Sequence, residues 1–423
     1  MNKNDTDYRP RLVDSEILES LALSGAIIIE GPKACGKTMS ASRVAGSIFR
    51  VDLDYITNSA VAAWPELVLD GDTPRLIDEW QTVSEIWNRV RRAVDDRGLF
   101  GQFILTGSAS PADDITRHSG AGRFSRLRMR TLTTFEAGES TGAVSLARLL
   151  EGSDIGKGQS KLSFDTLVDL VVCGGWPTNI GLSTKAAARR VRNYLEESTR
   201  IDVAQPDTGT KGRDPKKVTA VIQSLARGVG SAMAISTIRS DVQAMGLDIN
   251  EKTIDSYLDA LLRTMLIDYV PAWAVHLRSK ARLRIKPKHY FADPSLAVAA
   301  LNASPELLRK DLRLLGLLFE NLVMRDLLVY AQHNEAEVSF YRDSNNLEVD
   351  AIIEQAGGQW IAIEIKLGAT AVDTAAETLK RFAASVDTTF KGEAAALVVI
   401  TGNGYYYKRD DGVIVVPIGV LGA

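Results

Sequence analysis

The sequence predicts an α/β protein with a mostly parallel sheet near its N-terminus, a helical middle and a second α/β sheet at its C-terminus. Three observations support this fold class. An apolar run at 26–29 is followed by a glycine-rich loop and a helix-compatible segment. Further apolar runs then alternate with helical segments, as expected for parallel strands joined by helices. Strand-like apolar runs return at 351–353 and 360–366.

The loop after the first run has the glycine and lysine spacing of a phosphate-binding loop. Gly31 and Gly36 allow the backbone to turn tightly and to direct N–H groups inward. Lys37 supplies a charge for the terminal phosphates, and Thr38 can ligate Mg²⁺. The alternative is a glycine turn without a ligand, but a strand before it and a helix after it favour a nucleoside triphosphate. We therefore expect ATP and Mg²⁺ to bind at Gly31, Pro32, Lys33, Ala34, Cys35, Gly36, Lys37 and Thr38.

After a second predicted strand at 49–54, acidic and small polar residues end the third and fourth predicted strands. Asp78 could complete the Mg²⁺ shell, and Glu79 could polarise the water that attacks the γ-phosphate. Alternatively, both acids begin a helix, where carboxylates are favoured. The strand at 102–108 offers a hydroxyl that senses the γ-phosphate, with Ser108 as the first candidate and Thr106 as the second.

An arginine-containing segment at 120–126 follows that strand. From this place Arg123 could reach the nucleotide of a neighbouring subunit, which makes it a candidate arginine finger in a homo-oligomer. Arg126 is a weaker candidate. The alternative is that Arg123 is an ordinary surface arginine.

The middle of the chain contains two predicted short helices and a strand. Apolar residues at helical spacing begin at Ile235 and again at Ile254, and Asn250 is placed to cap the second helix. An apolar strand follows at 266–270. This pattern indicates a winged-helix module, a fold that binds DNA or proteins.

Every second residue is basic in the segment after this strand. Strand periodicity places such side chains on one face, where they could follow a DNA backbone. The alternative is an edge strand whose charges prevent aggregation. The residues are Arg278, Lys280, Arg282, Arg284, Lys286 and Lys288.

The C-terminal strands carry a second group of residues with chemical potential. Glu364 and Lys366 alternate along one strand, so they face the same side, and Asp350 begins the strand before it. Carboxylate oxygens bind divalent metals, and a lysine can orient or deprotonate water. Glu320 is a carboxylate on an otherwise apolar helix. The alternative is that these acids form ordinary salt bridges.

Taken together, these motifs resemble the AAA-type ATPases of bacteria and archaea that carry a C-terminal domain of uncharacterised function. The C-terminal group resembles the PD-(D/E)xK nuclease core, although Glu348 departs from its proline-aspartate. The resemblance implies a metal or structural role for Glu320. The motifs that carry it are the loop, Asp78-Glu79-Trp80-Gln81, Ile104-Leu105-Thr106-Gly107-Ser108, Gly122-Arg123 through Thr134-Phe135-Glu136, Gly174-Gly175-Trp176-Pro177 and Tyr290-Phe291-Ala292-Asp293.

The expected organisation has four parts. They are a P-loop AAA-type ATPase domain at 1–155, a helical lid or linker at 156–205, a winged-helix-like domain at 206–275 and a restriction-endonuclease-like α/β domain at 276–423. The first part would hydrolyse ATP. The last would bind metal through Glu320, Asp350 and Glu364 and, with Lys366, would promote phosphodiester hydrolysis in DNA. The alternative function is an ATP-switched regulatory or interaction protein whose nuclease-like domain is catalytically inactive.

Composition excludes several classes of protein. Apolar residues make up 45% and charged residues 24%, which is typical of a globular protein and not of a disordered or fibrous chain. The net charge of −3 gives no global attraction to nucleic acid. Cys35 and Cys173 are the two cysteines, and neither a signal sequence nor a spanning segment is present, so we expect a cytoplasmic protein.

Overall fold

The computed structural model describes residues 8–51, 63–83, 85–108, 120–204, 212–274 and 285–423. They form two compact units. The first comprises the chain up to Thr131 with the short segment Arg263–Met265, and the second comprises Leu132–Leu262 and Leu266–Ala423. The boundary predicted at residue 155 lies within the second unit, and the division into four parts stays a prediction.

The first unit is built on a five-stranded sheet in the order β2-β3-β4-β1-β5. All four strand pairs are parallel, which confirms the predicted parallel sheet. The strands are β1 (Ala26–Glu30), β2 (Ser47–Arg50), β3 (Arg75–Asp78), β4 (Phe103–Gly107) and β5 (Phe124–Arg128). The helices are α1 (Val13–Leu23), α2 (Lys37–Val44) and α3 (Glu85–Arg97), with 3₁₀ turns at Pro65–Val68 and Trp80–Thr82.

Helices cover both faces of this sheet. Ile27 and Ile29 of β1 pack into one apolar cluster with residues of α1 and α2, whereas Ile28 packs into another with residues of α3. The division follows from strand geometry, because alternate side chains point to opposite faces. Burial on both faces explains why the strands are continuous apolar runs. The carboxyl ends of the strands are left to carry polar side chains.

The second unit contains a seven-stranded mixed sheet in the order β10-β11-β12-β13-β15-β14-β7. Strands β10 to β12 pair antiparallel, and β12, β13 and β15 pair parallel. The strands of the unit are β6 (Val144–Ser145), β7 (Gly158–Gln159), β8 (Ile267–Val270), β9 (Lys288–Phe291), β10 (Ala336–Arg342), β11 (Glu348–Gln355), β12 (Trp360–Lys366), β13 (Ala396–Thr401), β14 (Tyr405–Lys408), β15 (Ile414–Pro417) and β16 (Leu421–Gly422).

Most of the described helices lie in this second unit. They are α4 (Leu146–Leu150), α5 (Phe164–Cys173), α6 (Thr184–Glu197) with a π-helical continuation Ser198–Val203, α7 (Pro215–Arg227), α8 (Ile235–Ala244), α9 (Glu251–Arg263), α10 (Pro294–Ala300), α11 (Pro305–Lys310), α12 (Leu312–His333), α13 (Val372–Ser385) and α14 (Thr388–Lys391). Helix α13 buries Phe382 against Trp360 and Trp273, with ring centroids 5.9 Å apart in both pairs. This aromatic cluster anchors the helix to the sheet.

The predicted pair of short helices is present as α8 and α9. Asn250 caps α9, since its side chain accepts a hydrogen bond of 2.8 Å from the Thr253 N–H. Strand β8 follows and pairs antiparallel with β9. The assignment of these elements to a winged-helix module, and DNA binding by them, stay predictions. Within the described ranges, no helix is both long and apolar enough to cross a membrane.

Candidate functional site

The predicted phosphate-binding loop lies between β1 and α2. Gly36 has φ 112° and precedes the first residue of α2, so it occupies a conformation that suits glycine. Gly31 is required for another reason. A Cβ atom there would lie 2.1 Å from the carbonyl oxygen of Met129, so only glycine allows the loop to pass the end of β5. Pro32 and Cys35 are buried, and Lys33 and Ala34 are exposed.

Lys37 is held at the loop by main-chain groups. Its ammonium donates hydrogen bonds of 2.9 Å to the carbonyls of Gly31 and Pro32, and the residue is buried. A phosphate oxygen offers this ammonium a negative charge, which makes a stronger hydrogen bond than a neutral carbonyl does. The lysine is therefore positioned beforehand for an anion at the N-terminus of α2.

The sequence alone did not identify Arg11 as part of this region. Its guanidinium donates hydrogen bonds of 2.9 Å to the carbonyls of Cys35 and Arg130. Cys35 is a fully buried residue of the loop. Arg11 thus ties the loop to the chain that follows β5. No motif marks this arginine, because its partners are main-chain atoms distant in sequence.

Asp78 lies at the carboxyl end of β3 and joins two hydroxyl groups. Its Oδ1 accepts hydrogen bonds from Thr38 Oγ1 at 2.8 Å and from Thr106 Oγ1 at 2.5 Å. Thr38 and Asp78, predicted together as a Mg²⁺ pair, are therefore in contact. Thr106, the second candidate for a sensor, holds Asp78 through this hydrogen bond. A hydroxyl and a carboxylate side by side form the donor set that Mg²⁺ prefers.

Glu79 follows Asp78 in a left-handed conformation, with φ 54°. Its Oε2 accepts a hydrogen bond of 2.5 Å from the side-chain amide of Gln81, and Ser108 Oγ lies 3.4 Å away. Glu79 also precedes a 3₁₀ turn, as the alternative interpretation expected, but its side chain makes no capping hydrogen bond. Non-glycine residues rarely adopt this backbone conformation, and it is concentrated at functional sites. No sequence pattern indicates a role for Gln81, the third member of this group.

Arg123 lies beside the amino end of β1, whereas the loop follows its carboxyl end. Its carbonyl accepts a hydrogen bond from the N–H of Ala26, the first residue of β1. Strand β1 has five residues. At a rise of about 3.3 Å per residue its two ends lie on the order of 15 Å apart, which exceeds the length of an arginine side chain. Its guanidinium donates to Asp95 at 2.7 Å. Arg123 cannot serve a nucleotide on its own chain, so action on another copy is the part of the prediction that stays open. Arg126 pairs with Glu30.

A second polar cluster occupies the sheet of the second unit. Asp350 Oδ2 accepts a hydrogen bond of 2.8 Å from the N–H of Ile365 and lies 3.3 Å from Lys366 Nζ. Lys366 Nζ is 2.6 Å from Glu364 Oε2. The structure therefore brings together the three residues that the strand alternation predicted. Antiparallel pairing of β11 with β12 accounts for the contact.

Glu320 of α12 faces the same cluster through two residues of β9. Its Oε1 accepts a hydrogen bond of 2.7 Å from the Tyr290 hydroxyl and lies 3.7 Å from Lys288 Nζ. Lys288 Nζ is also 2.6 Å from Glu348 Oε1 and 3.9 Å from Asp350 Oδ1. We name the group of Lys288, Glu320, Glu348, Asp350, Glu364 and Lys366 the acid–lysine cluster.

The prediction that Lys288 lies on an exposed basic face is wrong. Its side chain is 5% exposed and is surrounded by carboxylates, so it is not available to a DNA backbone. The alternation fails because all four residues of β9 are buried. Lys286 is exposed, as predicted. Arg278, Lys280, Arg282 and Arg284 lie outside the described residues.

Burial alters the acid–base behaviour of the cluster. It raises the pKa of Glu364 to about 8 and that of Glu320 to about 7, and the negative charge of Asp350 adds to both shifts. Burial alone would lower the pKa of Lys288, but the surrounding acids outweigh it and raise the pKa. Near neutral pH the two ammonium groups and the partly protonated glutamates leave little net charge.

The described part of the chain contains no group of three or more histidine, cysteine, aspartate or glutamate side chains arranged to hold a metal ion. The acid–lysine cluster supplies suitable oxygen atoms, but ammonium groups lie between them. As arranged, the cluster does not fit a divalent metal. Metal binding by Glu320, Asp350 and Glu364 therefore stays a prediction that requires these lysines to move.

A buried ion cluster in the second unit brings together two motifs of the sequence, Gly174-Gly175-Trp176-Pro177 and Tyr290-Phe291-Ala292-Asp293. Arg325 Nη1 donates to Asp293 Oδ2 at 3.0 Å, and its Nη2 donates to Asp326 Oδ1 at 2.7 Å. Asp293 Oδ2 also accepts the N–H of Gly175 at 2.8 Å. A Cβ at Gly174 would lie 2.2 Å from Asp293 Oδ1, so glycine is needed there. These motifs are structural in this fold.

Three stretches of the chain match known protein families. Residues 24–137 match the family described as AAA domain. Residues 164–307 match the domain of unknown function DUF8612, and residues 315–421 match the domain of unknown function DUF4143. The first match supports an AAA-type ATPase domain in the N-terminal part of the chain. The other two families carry no stated activity.

Two mycobacterial proteins are similar to most of the chain. They are the uncharacterized protein Rv2008c of Mycobacterium tuberculosis and the uncharacterized protein Mb2031c of Mycobacterium bovis. Each is 22% identical over 409 residues, which is 95% of this chain and 82% of the relative. Neither name states an activity.

Two solved structures align with large parts of the chain. The Walker-type ATPase PABY2304 of Pyrococcus abyssi covers 70% of this chain and 97% of its own, at 13% identity and a TM-score of 0.41. The McrB–McrC assembly of Thermococcus gammatolerans covers 80% of this chain and 89% of its own, at 8% identity and a TM-score of 0.21. Both TM-scores are too low to support an argument.

Proposed function

We propose that the first unit binds ATP with Mg²⁺ and hydrolyses it. The observation that carries this proposal is the contact of Thr38 and Thr106 with Asp78, beside a lysine held at the N-terminus of α2. Such an arrangement combines a phosphate-binding cation with hard oxygen ligands at one edge of a parallel sheet. The match of this region to the AAA domain family supports the same activity.

Each residue has a defined part in this reaction. The N–H groups of the loop and Lys37 would bind the β- and γ-phosphates, and Thr38 with Asp78 would hold Mg²⁺, which neutralises developing charge. Glu79 would accept a proton from the attacking water. Gln81 is a positioning residue, because its amide holds the Glu79 carboxylate beside Ser108. Arg123 would contact the nucleotide of another copy in a homo-oligomer.

The substitution Glu79→Gln tests this proposal. We expect ATP turnover to fall by about 100-fold or more, because a general base of this kind contributes roughly 10²–10⁴ to the rate. ATP binding should persist, since Lys37, Thr38 and Asp78 are unchanged. Phosphate release and equilibrium binding of ATP with Mg²⁺ are measured on the same preparation.

Glu85→Gln is the matched control for this experiment. Glu85 is an exposed residue of α3 whose carboxylate lies 3.6 Å from Arg89, so its loss should leave turnover unchanged. Turnover by Glu79→Gln within twofold of the wild-type rate would remove Glu79 from the mechanism. A wild-type protein that neither binds nor hydrolyses ATP would overturn the proposed function itself.

We further propose that the second unit has a nuclease-like arrangement that interacts with DNA without cleaving it. The convergence of Glu320, Asp350, Glu364 and Lys366 supports the nuclease-like arrangement. So does the succession of α12, three antiparallel strands, α13 and a parallel strand. The ammonium groups among the acids favour the inactive alternative. DNA as the partner rests on the predicted basic segment and the winged-helix-like elements.

A comparison of the wild type with Lys366→Ala tests the proposal that the second unit does not cleave DNA. We expect linear and supercoiled DNA to remain intact with either protein in Mg²⁺ or Mn²⁺, because the acids are already neutralised without metal. Agarose gels of DNA incubated with each protein give the measurement. Cleavage by the wild type that Lys366→Ala abolishes would establish an active nuclease instead. ATP turnover with and without DNA, in the same samples, tests coupling of the two functions.

A further inference from the structure

We propose that Lys288 is a built-in counter-ion that excludes divalent metal from the acid–lysine cluster. This inference rests on the nuclease-like arrangement proposed above and names the residue that keeps it free of metal. Its starting point is geometric. One ammonium lies within 4 Å of three carboxylates, those of Glu320, Glu348 and Asp350, at 3.7, 2.6 and 3.9 Å.

A divalent metal bound by these acids would occupy the same space. Mg²⁺ and Ca²⁺ stand about 2.0–2.6 Å from their oxygen ligands, which is the distance at which the ammonium already approaches Glu348. Two cations a few ångströms apart in a poorly hydrated site also repel each other strongly. Metal and ammonium therefore exclude each other from this group of oxygens.

Lys288 is also held in its place. It pairs with Val270 in the β8–β9 ladder, and its ammonium lies 5.3 Å from the centre of the Phe340 ring. With a side chain 5% exposed, it cannot turn towards solvent without leaving Glu320 and Asp350 buried and less neutralised. Such a loss is costly, because buried carboxylates need a nearby cation or a proton.

Lys366 occupies the other side of Asp350. Its ammonium lies 2.6 Å from Glu364 and 3.3 Å from Asp350, so the two lysines flank the central carboxylate. Lys366 is 32% exposed, however, and can withdraw towards solvent. Lys288 is the lysine that closes the interior of the cluster. Removal of Lys288 alone should therefore open a metal site formed by Glu320, Glu348 and Asp350.

Isothermal titration of the full chain with Mn²⁺, without nucleotide, tests this inference. We expect Lys288→Met to bind one Mn²⁺ more per chain than the wild type does. The Kd at this cluster should be at least about tenfold lower than any Kd that the wild type shows there, a difference in binding free energy of about 1.4 kcal/mol. The additional binding should disappear in Lys288→Met/Asp350→Asn. Lys286→Met is the matched control, because this neighbouring lysine is exposed, and it should bind Mn²⁺ as the wild type does.

Two results would overturn the inference. One is Mn²⁺ binding by the wild type that Asp350→Asn abolishes, and this comparison does not require Lys288→Met to fold. The other is a folded Lys288→Met, verified by circular dichroism, that gains no Mn²⁺. DNA cleavage assays of Lys288→Met separate the two proposals. Gain of Mn²⁺ without cleavage supports the counter-ion role and agrees with the inactive arrangement proposed above. Gain of Mn²⁺ with DNA cleavage supports the counter-ion role and shows that Lys288 alone keeps the cluster inactive.

Discussion

Replacement of Lys37 by alanine is expected to reduce ATP turnover by at least about 100-fold, which is the typical loss when one preorganised charge or donor at the transition state is removed. Lys37 is buried, and its ammonium is fixed by two carbonyl hydrogen bonds of 2.9 Å. It would therefore meet the γ-phosphate without first being ordered. Affinity for ATP should fall as well, because the same ammonium would also bind the phosphates of ATP before hydrolysis. Steady-state phosphate release and ATP binding measure the two effects.

Arg92→Ala is the control for this substitution. Arg92 is an exposed cation of the same unit, on α3, so its loss changes the net charge by the same amount without touching the loop. Turnover of Arg92→Ala should remain at the wild-type level. If Lys37→Ala retained more than half of the wild-type turnover, the assignment of the phosphate site to residues 31–38 would be wrong.

The geometry of the candidate nucleotide site in the first unit was largely predictable because its signals are local. Strand, loop and helix follow one another in the sequence, and Asp78 stands at the end of a predicted strand. Arg11 and Gln81 gave no such signal. Arg11 contacts main-chain carbonyls, and the role of Gln81 depends on the left-handed turn at Glu79. Both features are set by tertiary structure, which periodicity does not report.

In the acid–lysine cluster, strand alternation predicted some positions correctly and one wrongly. Alternation along β12 correctly placed Glu364 beside Lys366, and the antiparallel return brought Asp350 to them. Alternation misplaced Lys288, because the face of β9 that carries it is covered by the rest of the unit. A row of basic residues looks the same in sequence whether it meets solvent or carboxylates. Only the packing of Glu320 and Glu348 against the strand decides between them.

The Gly174-Gly175-Trp176-Pro177 motif supported a family resemblance, but the sequence offered no reason for it. In the structure, Gly175 donates its N–H to Asp293, and the Trp176 indole donates to Ser295 at 3.0 Å. A Cβ at Gly174 would collide with Asp293 and Ser295, and one at Gly175 would lie 2.0 Å from the Leu132 carbonyl oxygen and 2.9 Å from Arg325 Nη1. The motif therefore packs against and hydrogen-bonds to a buried polar group whose other members lie more than a hundred residues away in the sequence.

Replacement of Arg325 by methionine is expected to destabilise the second unit by about 3–5 kcal/mol, which is the cost of breaking a buried ion pair by removing one partner. The side chain of Arg325 is 3% exposed, and both carboxylates that it contacts are fully buried. Burial alone would lower the pKa of Arg325, but Asp326 and Asp293 outweigh it and raise the pKa, so the guanidinium stays charged. Without it, two carboxylates remain in the interior without their cation.

Native-state hydrogen exchange of peptides from α12 measures this loss, since it reports the opening of one unit within a larger chain. A loss of 3 kcal/mol corresponds to a more than about 100-fold rise in the opening equilibrium. Arg309→Met is the matched control, because Arg309 pairs with Asp165 at the surface of the same unit, and little change is expected. Asp326→Asn combined with Arg325→Met should recover part of the stability by removing one uncompensated charge. Exchange of α12 at the wild-type rate in Arg325→Met would show that the buried ion cluster contributes no net stability.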